Sequence, residues 1–475
     1  MALPSVTITV SDGALGLAGA NPENLHAKLG LSSGGTANTV YSYGDISSAK
    51  AQLLAGPLLE DVGFHLATAG GPVLAVPVTP SNVGTVGTIT RVGTSPSPGL
   101  GTTGTPRDKY DVIAQIVTGG VVGTASFKIS FDGGVTYSPI YATAASLSTF
   151  VASTGLTLTF TAGTYVAGDS YTFSTVAPTY SSSDLNTAID AVLADARSVA
   201  FIHVVGTVGG VDDATKISNF VALCTAVSTK MTTAETAKRW MFAVMEAPEV
   251  AEGAWAASAV WAAFASTRIS PALGRITIQS QVSGRQTTRS VAAAYTSRLA
   301  KTPVQEHPGK TARGPLSGIT AISRDERATP NGDVARFATI TTFEGISGYF
   351  IASGKMAAPA GSDFEEVQTR RVVDKACRLT NVALFQFLNS DLRVNAANGT
   401  LFEADARTIE DYVDGVVRSN LISNGGASDL RIVVNRSSNV LSTKTIPTSV
   451  RVVPKGYANF ITADVGLLNP ALQVV

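Results

Sequence analysis

The residues that could perform metal chemistry are few and widely separated. The four histidines are His26, His65, His203 and His307, and neither His-x-x-x-His nor Cys-x-x-Cys occurs. Because compact metal sites in sequence usually show such local spacings, the pattern gives no support for a bound metal. His203 lies inside an apolar run, residues 201–205, and is interpreted as a buried core histidine.

Motifs for phosphate binding and covalent catalysis are incomplete. Gly309-Lys310-Thr311 looks like the end of a P-loop, but position 304 is Val and no strand is predicted before it. Residues 206–210 do not fit a dinucleotide fingerprint, and no Gly-x-Ser-x-Gly elbow occurs. The serines at 181–183 are better explained as a helix N-cap. We therefore expect no enzyme activity, no catalytic residue and no cofactor.

The two cysteines and one hairpin motif have structural interpretations. Cys224 and Cys377 both sit in helix-like apolar patterns, which favours buried thiols over a disulfide or a metal pair. The segment Ser130-Phe-Asp132-Gly-Gly-Val-Thr136-Tyr137 resembles an Asp-box, a hairpin turn whose aspartate binds backbone amides of its own loop. That motif occurs in sialidases but also in many β domains without activity.

Composition narrows the class of partner. Of 475 residues, 35 are Lys or Arg and 35 are Asp or Glu, so the formal net charge is zero. Such a surface has no electrostatic preference for nucleic acid or an anionic membrane, and it does not oppose self-association. The first residues lack a basic n-region, and the most apolar predicted helix, 252–266, is too short to span a bilayer. We expect a soluble protein that is intracellular when synthesised.

Helix and strand patterns alternate in two parts of the chain. Asp45 is expected to cap the first helix. Helices are predicted near 46–54, 58–69, 184–197, 213–228, 252–266 and 288–300, and strands at 73–78, 199–205, 240–246 and 275–279. This alternation predicts a mostly parallel sheet with helices on both faces. Residues 11–38 are rich in Gly and Ser, so we interpret them as loop or a flexible arm. We interpret residues 303–333 as a loop.

A β domain interrupts this α/β core. Residues 84–178 contain eight charged side chains in 95 positions and show short alternating runs at 111–117, 125–131, 156–161 and 170–176. Regular short strands with Gly turns predict a small sandwich or barrel. The predicted domains are an arm at 1–20, the core at 21–83 and 179–355, the insertion at 84–178, an α+β domain at 356–455 and an arm at 456–475.

The C-terminal part begins with helices and ends with strands. A hairpin is predicted at 335–343 and 347–353, helices near 364–388 and 403–420, and strands at 429–435, 449–453 and 459–465. The first helix carries the basic stripe Arg370, Arg371, Lys375 and Arg378. A solvated face is the ordinary interpretation of this stripe, and a docking face for a partner of opposite charge is the alternative.

Both chain ends are apolar and strand-prone. Val6, Ile8 and Val10 alternate with threonines, and residues 456–475 carry one charge, Asp464. A chain that donates terminal strands and offers a sheet edge assembles head to tail, which gives rings or filaments. The residues predicted to take part in strand exchange are Val6, Ile8, Val10, Ile432, Val434, Val450, Val452, Phe460, Ile461 and Val465.

This order of features resembles the tail sheath proteins of contractile bacteriophages. The resemblance rests on the β insertion, the loop 307–318, the helix carrying Arg370 to Arg378, and the segment 453–461, and it is one of architecture over most of the chain. It implies an outward-facing insertion, an inner C-terminal domain near the tail tube, and arms that link neighbouring subunits. It further implies partners in a homo-oligomeric sheath of stacked rings, the tail tube protein, and the baseplate and tail terminator proteins.

The resemblance also implies a location and possible tube contacts. The protein would belong to the virion tail and to the host cytoplasm during assembly, and Arg370, Arg371, Lys375 and Arg378 would be possible tube-facing residues. Flexible Gly-rich segments, such as 11–20 and 34–35, would act as hinges during contraction. One alternative is a surface or adhesion protein whose 84–178 domain binds a glycan or receptor. Another is an enzyme on a doubly wound sheet.

Overall fold

The computed structural model describes residues 23–93 and 97–467. The chain divides into two compact units, Met1–Gln386 and Phe387–Val475, and each is considered by itself. The strand predicted from Val6 to Val10 lies outside the described residues. Among the described helices, none combines the length and the apolar character needed to cross a bilayer.

The elements of the first unit fall into three consecutive stretches. The first stretch contains β1 (His26–Gly30), β2 (Tyr41–Tyr43), α1 (Ile46–Leu53), α2 (Pro57–Thr68) and β3 (Val73–Pro77). The second contains β4 (Thr85–Val86), β5 (Thr90–Val92), β6 (Leu100–Gly104), β7 (Asp111–Thr118), β8 (Gly120–Val121), β9 (Ser126–Ser130), β10 (Tyr141–Ala142), α3 (Val151–Thr154), β11 (Leu156–Phe160), β12 (Thr164–Tyr165) and β13 (Ser170–Val176). The third contains α4 (Ser182–Ala194), β14 (Phe201–Val204), α5 (Asp213–Thr236), β15 (Phe242–Glu246), α6 (Ala254–Ala257), α7 (Ala259–Ala263), β16 (Ile269–Ala272), β17 (Arg275–Gln279), β18 (Gln286–Ser290), α8 (Val291–Lys301), a 3₁₀ turn (Thr311–Arg313), β19 (Ile319–Ile322), β20 (Thr339–Phe343), β21 (Ile346–Ser353) and α9 (Val367–Leu384).

A parallel sheet forms the centre of the first unit, as the alternation of helices and strands predicts. Its strand order is β16, β15, β14, β1, β3, β2, and only β2 runs antiparallel to its neighbour. Helices α4 and α5 pack on one face, and α2 and α8 pack on the other. Because both faces are covered, every residue of β1, β3, β14 and β15 is buried. The predicted caps are present: Asp45 accepts from Ser48 N, and Ser181 forms a capping box with Asp184.

The central strand β1 corrects the interpretation of residues 11–38 as loop or arm. His26–Gly30 is completely buried and pairs with β14 on one side and β3 on the other. The sequence His-Ala-Lys-Leu-Gly conceals this strand because parallel-sheet strands usually read as continuous apolar runs. Here the two polar residues point to a buried polar cluster on the α2/α8 face, while Ala27 and Leu29 pack in the core with α4 and α5.

Three further predictions about the core are wrong. Strand β17 does not join the parallel sheet; it pairs antiparallel with β18 and β19, and the edge position belongs to β16. Strand β19 also shows that 303–333 is not entirely loop. The predicted helix 252–266 is two short helices, because Ser258 leaves helical geometry and caps the second with its side chain. Trp255 and Trp261 are nevertheless buried in the core.

The insertion is an antiparallel β structure, and its four longest predicted strands are confirmed as β7, β9, β11 and β13. The main sheet has the order β10, β9, β7, β13, β4, and β5 also pairs with β13. Alternate residues of these strands enclose a separate apolar core. The Asp-box is confirmed as a turn: Asp132 accepts from Thr136 N at 2.8 Å and also from Gln286 N at 3.1 Å. The second contact ties the insertion to the β17–β18 hairpin.

The second unit is small and has one layer of helix against two strands. After a 3₁₀ turn (Phe385–Phe387), it contains α10 (Glu403–Val417), a π-helical turn (Arg418–Ile422), β22 (Asp429–Val434), α11 (Val440–Thr443) and β23 (Thr448–Val453). The hairpin of β20 and β21 in the first unit is confirmed, with its turn at Glu344 and Gly345. The strand predicted at 459–465 is absent, since residues 454–467 form no regular element.

Candidate functional site

The C-terminal segment exposes large apolar side chains. Phe460, Ile461 and Val465 are 94%, 83% and 90% exposed, and Leu467 is fully exposed. Phe460, Ile461 and Val465 lie in the strand predicted at 459–465, but in the described chain this segment pairs with no strand. Four large apolar side chains in eight residues cost free energy in water, at about 25 cal/mol for each Å². The segment therefore has the chemistry of an element that becomes ordered against another surface.

Strands β22 and β23 form a two-stranded antiparallel sheet that offers such a surface. Asp429 pairs with Val453 and Val434 pairs with Thr448, so the pairing extends over six residues in each strand. One face packs on α10: Leu430 and Val434 are buried, while Ile432, Val450 and Val452 are half-buried. Asp429, Arg431 and Val433 point to the opposite, exposed face.

The two outer edges of this sheet differ. Asn435 N donates to Pro447 O, so the odd-numbered residues of β22 direct their backbone groups at β23 and the even-numbered ones direct theirs outward. On the outer edge of β22, side chains form hydrogen bonds with several of the outward-pointing backbone groups. Glu410 accepts from Val434 N at 2.6 Å, Arg436 donates to Val434 O at 2.7 Å, and Arg418 donates to Leu430 O at 3.4 Å.

The outer edge of β23 is open. By the same alternation, the N–H and C=O groups of Thr448, Val450 and Val452 point away from β22. Within the described residues, no hydrogen bond is recorded for those backbone groups of Val450 and Val452. An unpaired edge with apolar side chains on one face is a template for an added strand.

The predicted strand-exchange residues thus have different positions. Val450 and Val452 lie on the open edge, whereas Ile432 and Val434 lie on the edge that side chains occupy. Phe460, Ile461 and Val465 are exposed in the C-terminal segment. Val6, Ile8 and Val10 lie outside the described residues. Sequence patterning alone does not separate the two edges, because Glu410, Arg418 and Arg436 reach β22 only in the folded unit.

The basic stripe on α9 is not a solvated face. Arg370 and Arg371 are 5% and 2% exposed, and Asp374 is 1% exposed. Arg370 pairs with Asp374, as its spacing predicts, at 3.0 Å from Nε. Arg371 donates to the carbonyl oxygens of Leu299 and Thr302 at 2.9 and 3.1 Å. Buried guanidinium groups that already have partners inside the unit do not form a docking face, so this correction removes Arg370 and Arg371 as exposed tube contacts.

The other two basic residues of the stripe are half-buried. Arg378 binds the Glu23 carboxylate and donates to Trp240 O at 2.6 Å. Burial lowers the pKa of Lys375, and the charge of Glu23 opposes that effect. The sequence did not reveal these contacts, because Glu23 is more than 350 positions away along the chain.

A buried polar cluster lies on the α2/α8 face of the central sheet. Lys28 on β1 forms a salt bridge with Asp61 on α2, and its Nζ lies 3.1 Å from His203 Nδ1 and 3.2 Å from Thr296 Oγ1. His203 Nε2 lies 3.2 Å from Glu246 Oε1. Burial alone would raise the pKa of Asp61, but the adjacent Lys28 charge lowers it instead. Burial alone would lower the pKa of His203, but the charge of Asp61 raises it above its usual value.

This cluster contains a possible metal-ligand set that the sequence did not reveal. One ligand atom each from Asp61, His203 and Glu246 lies within 4.8 Å of the others. However, the Lys28 ammonium already provides a positive charge between Asp61 and His203, where it would repel a metal cation. The Lys28 ammonium is therefore the cation that this cluster holds. The alternation of His26 and Lys28 with Ala27 and Leu29 was the signal available in the sequence.

Comparisons with known protein families show which family this chain belongs to. A family model described as DUF2586, N-terminal domain, matches residues 3–355, and one described as DUF2586, C-terminal domain, matches residues 363–472. The chain belongs to the DUF2586 family. No curated protein matches the sequence of this DUF2586 chain.

Solved structures match the DUF2586 chain over nearly its whole length. A chain of the anti-feeding prophage (AFP) helical sheath in contracted state has a TM-score of 0.54 at 10% identity, covering 98% of this chain and 99% of that chain. A chain of the AFP baseplate in contracted state has a TM-score of 0.56 at 13% identity, covering 98% and 99%. A chain of the PVC sheath complex of an extracellular contractile injection system, also contracted, has a TM-score of 0.53 at 10% identity, covering 100% and 99%.

At sequence identities this low, a structural match shows a shared fold alone. The DUF2586 chain therefore has the fold found in these contractile assemblies, and the resemblance to sheath proteins is confirmed at that level. What the fold does in this chain must be argued from its own surfaces.

Proposed function

We propose that this chain is the structural subunit of a contractile tail sheath. The observation that carries the proposal is the fold match over 98% of the chain to a subunit of a helical sheath. The exposed apolar C-terminal segment and the open edge of β23 support it, because both features suit head-to-tail assembly. Subunits polymerise around a tail tube, and contraction drives the tube into a host cell.

In this proposal, the open edge of β23 receives a strand donated by a neighbouring copy. Each main-chain hydrogen bond contributes about 1 kcal/mol net, and buried Val, Ile and Phe side chains contribute about 1.5–3 kcal/mol each. A strand of four or five residues therefore remains attached while whole subunits rotate and translate. The N-terminal strand around Val6, Ile8 and Val10 is the second proposed donor.

The proposed partners follow from the same role. They are other copies of this chain, the tail tube protein, and baseplate and tail terminator proteins, in the virion tail of a phage or in a phage-like injection system. In this proposal the 84–178 insertion faces outward, and the C-terminal domain predicted at 356–455 lies near the tube. Stored conformational energy of the extended sheath drives contraction, so no cofactor takes part.

Deletion of residues 456–475 tests strand donation. We expect the truncated chain to remain a folded monomer, because the described part of that segment, 456–467, belongs to no helix or strand. High-speed sedimentation will then recover the full chain as polymer and leave the truncated chain in the supernatant. A truncated chain that polymerises as well as the full chain would show that the C-terminal strand is not the donor.

A further inference from the structure

Glu23 is the first residue that the structure describes. It is 8% exposed although it lies only three residues before β1. Its carboxylate binds the guanidinium of Arg378, with Nε at 3.1 Å from Oε1 and a second, shorter contact from Nη2. Its carbonyl oxygen lies 3.4 Å from Arg371 Nη2. Two arginines of helix α9 therefore bind Glu23: Arg378 binds its side-chain carboxylate, and Arg371 binds its backbone carbonyl oxygen.

The same two arginines bind other parts of the core. Arg371 also donates to Leu299 O and Thr302 O, at the C-terminal end of α8. Arg378 also donates to Trp240 O, just before β15. Among the described residues, no carboxylate is bonded to Arg371, and burial lowers its pKa to about 10 while the charge of Glu23 opposes that change. Glu23 is thus bonded to two arginines that also bind the end of α8 and the chain just before β15.

The Gly34-Gly35 pair, predicted as a hinge, lies beyond this attachment and is tightly packed. Gly34 N donates to Leu53 O at 3.0 Å, and a Cβ on Gly34 would lie 2.5 Å from Gln52 O. Gly35 has a φ of +80° in a turn beside Pro77. Crowding around Gly34 argues against a hinge here, and the hinge at 34–35 stays a prediction.

We infer that Glu23, Arg371 and Arg378 form a clamp that fixes the root of the N-terminal arm to α9. Helix α9 ends at Leu384, and the chain enters the second unit at Phe387. The arm root and the entry to the second unit are therefore attached to one helix. When a neighbour pulls on the arm, the clamp transfers the load to α9 and spares strand β1. This role rests on the proposed sheath function.

The clamp itself is tested on the soluble full chain by hydrogen–deuterium exchange. Glu23→Gln and Arg378→Gln are compared with Glu252→Gln, which removes an exposed carboxylate of the same unit. We expect about tenfold faster exchange at residues 24–26 in both clamp variants, no larger effect in the double variant, and no change in the control. Arg378→Lys, which keeps the charge but loses the two-point contact, is expected to restore protection only in part. Unchanged exchange at 24–26 in Glu23→Gln would overturn the clamp.

Load transfer is tested on assembled tubes. Glu23→Gln is expected to polymerise like the unmodified chain, because both strands remain, but its tubes are expected to fragment under shear that leaves the control intact. Equal resistance to shear would overturn load transfer. Failure of the unmodified chain to polymerise would contradict the sheath function instead, and the exchange experiment would still decide whether the clamp exists.

Discussion

Lys28 occupies the centre of the first unit, where its ammonium group lies between Asp61 and His203. Lys28 is completely buried. Asp61 and His203 are also almost completely buried, and Glu246 is 6% exposed. A lysine at this depth is stable only because Asp61, His203 and Thr296 surround its ammonium group.

Replacing Lys28 with methionine is expected to lower the free energy of unfolding by about 3–5 kcal/mol, because the Asp61 carboxylate loses its buried partner. Urea denaturation measures the change, and Lys109→Met serves as the control because Lys109 is exposed. The double variant Lys28→Met/Asp61→Leu should recover much of the loss, since a packed apolar pair removes both buried charges. A loss below about 1 kcal/mol in Lys28→Met would contradict this account of the cluster.

His65 makes the stability depend on pH. Burial lowers its pKa from 6.5 to about 3, and the Lys28 charge adds to this effect. Since the unfolded chain binds this proton near pH 6.5 and the fold does not, stability is complete above pH 6.5 and decreases as the pH falls toward 3. His26 contributes in the same direction, because burial also lowers its pKa.

We therefore expect His65→Gln to reduce the slope of stability against pH between 6.5 and 3. One proton corresponds to about 1.4 kcal/mol for each pH unit. Urea denaturation at a series of pH values measures the slope. An unchanged slope would mean that His65 is protonated in the fold.

Among the secondary-structure elements, β23 carries the assembly account. In the part of the chain that the structure describes, its outward backbone groups at Val450 and Val452 are unpaired, while the corresponding edge of β22 is occupied by Glu410, Arg418 and Arg436. We therefore place the added strand at the outer edge of β23.

Val450→Pro is expected to prevent polymerisation while leaving the monomer folded. Proline removes an N–H that points away from β22, so the bonds within the sheet remain. Val450→Thr keeps that N–H at the same position and should polymerise normally. Sedimentation measures polymer, and circular dichroism checks folding. Normal polymerisation of a folded Val450→Pro chain would exclude β23 as the acceptor.

At this scale the sequence predicted most helices and the insertion strands, because their apolar periodicity is local. It missed β1, since His26 and Lys28 are stabilised by partners on β14, α2 and α8 that no local pattern contains. It also placed β17 in the parallel sheet, because an apolar strand before a helix reads the same whether its partners are parallel or antiparallel. The open and occupied sheet edges in the second unit depend on the side chains of Glu410, Arg418 and Arg436, so they too required the structure.

At the scale of the whole molecule, composition predicts the order of the core, the insertion and the two chain ends. The function depends on which surfaces are exposed. The charge-poor insertion divides the α/β core, and both ends of the chain are apolar. The fold match to contractile assemblies extends over nearly the entire chain. The basic stripe, in contrast, was misread as a surface because Glu23 and the carbonyls near α8 lie far away in sequence.

Negative-stain electron microscopy of the purified full chain tests the central claim most directly. The account predicts striated tubes or stacked rings, formed by the chain alone at high concentration or after a tail tube protein is added. Uniform single particles under both conditions would contradict a sheath and would make the 84–178 insertion, as a binding module for a glycan or receptor, the leading interpretation.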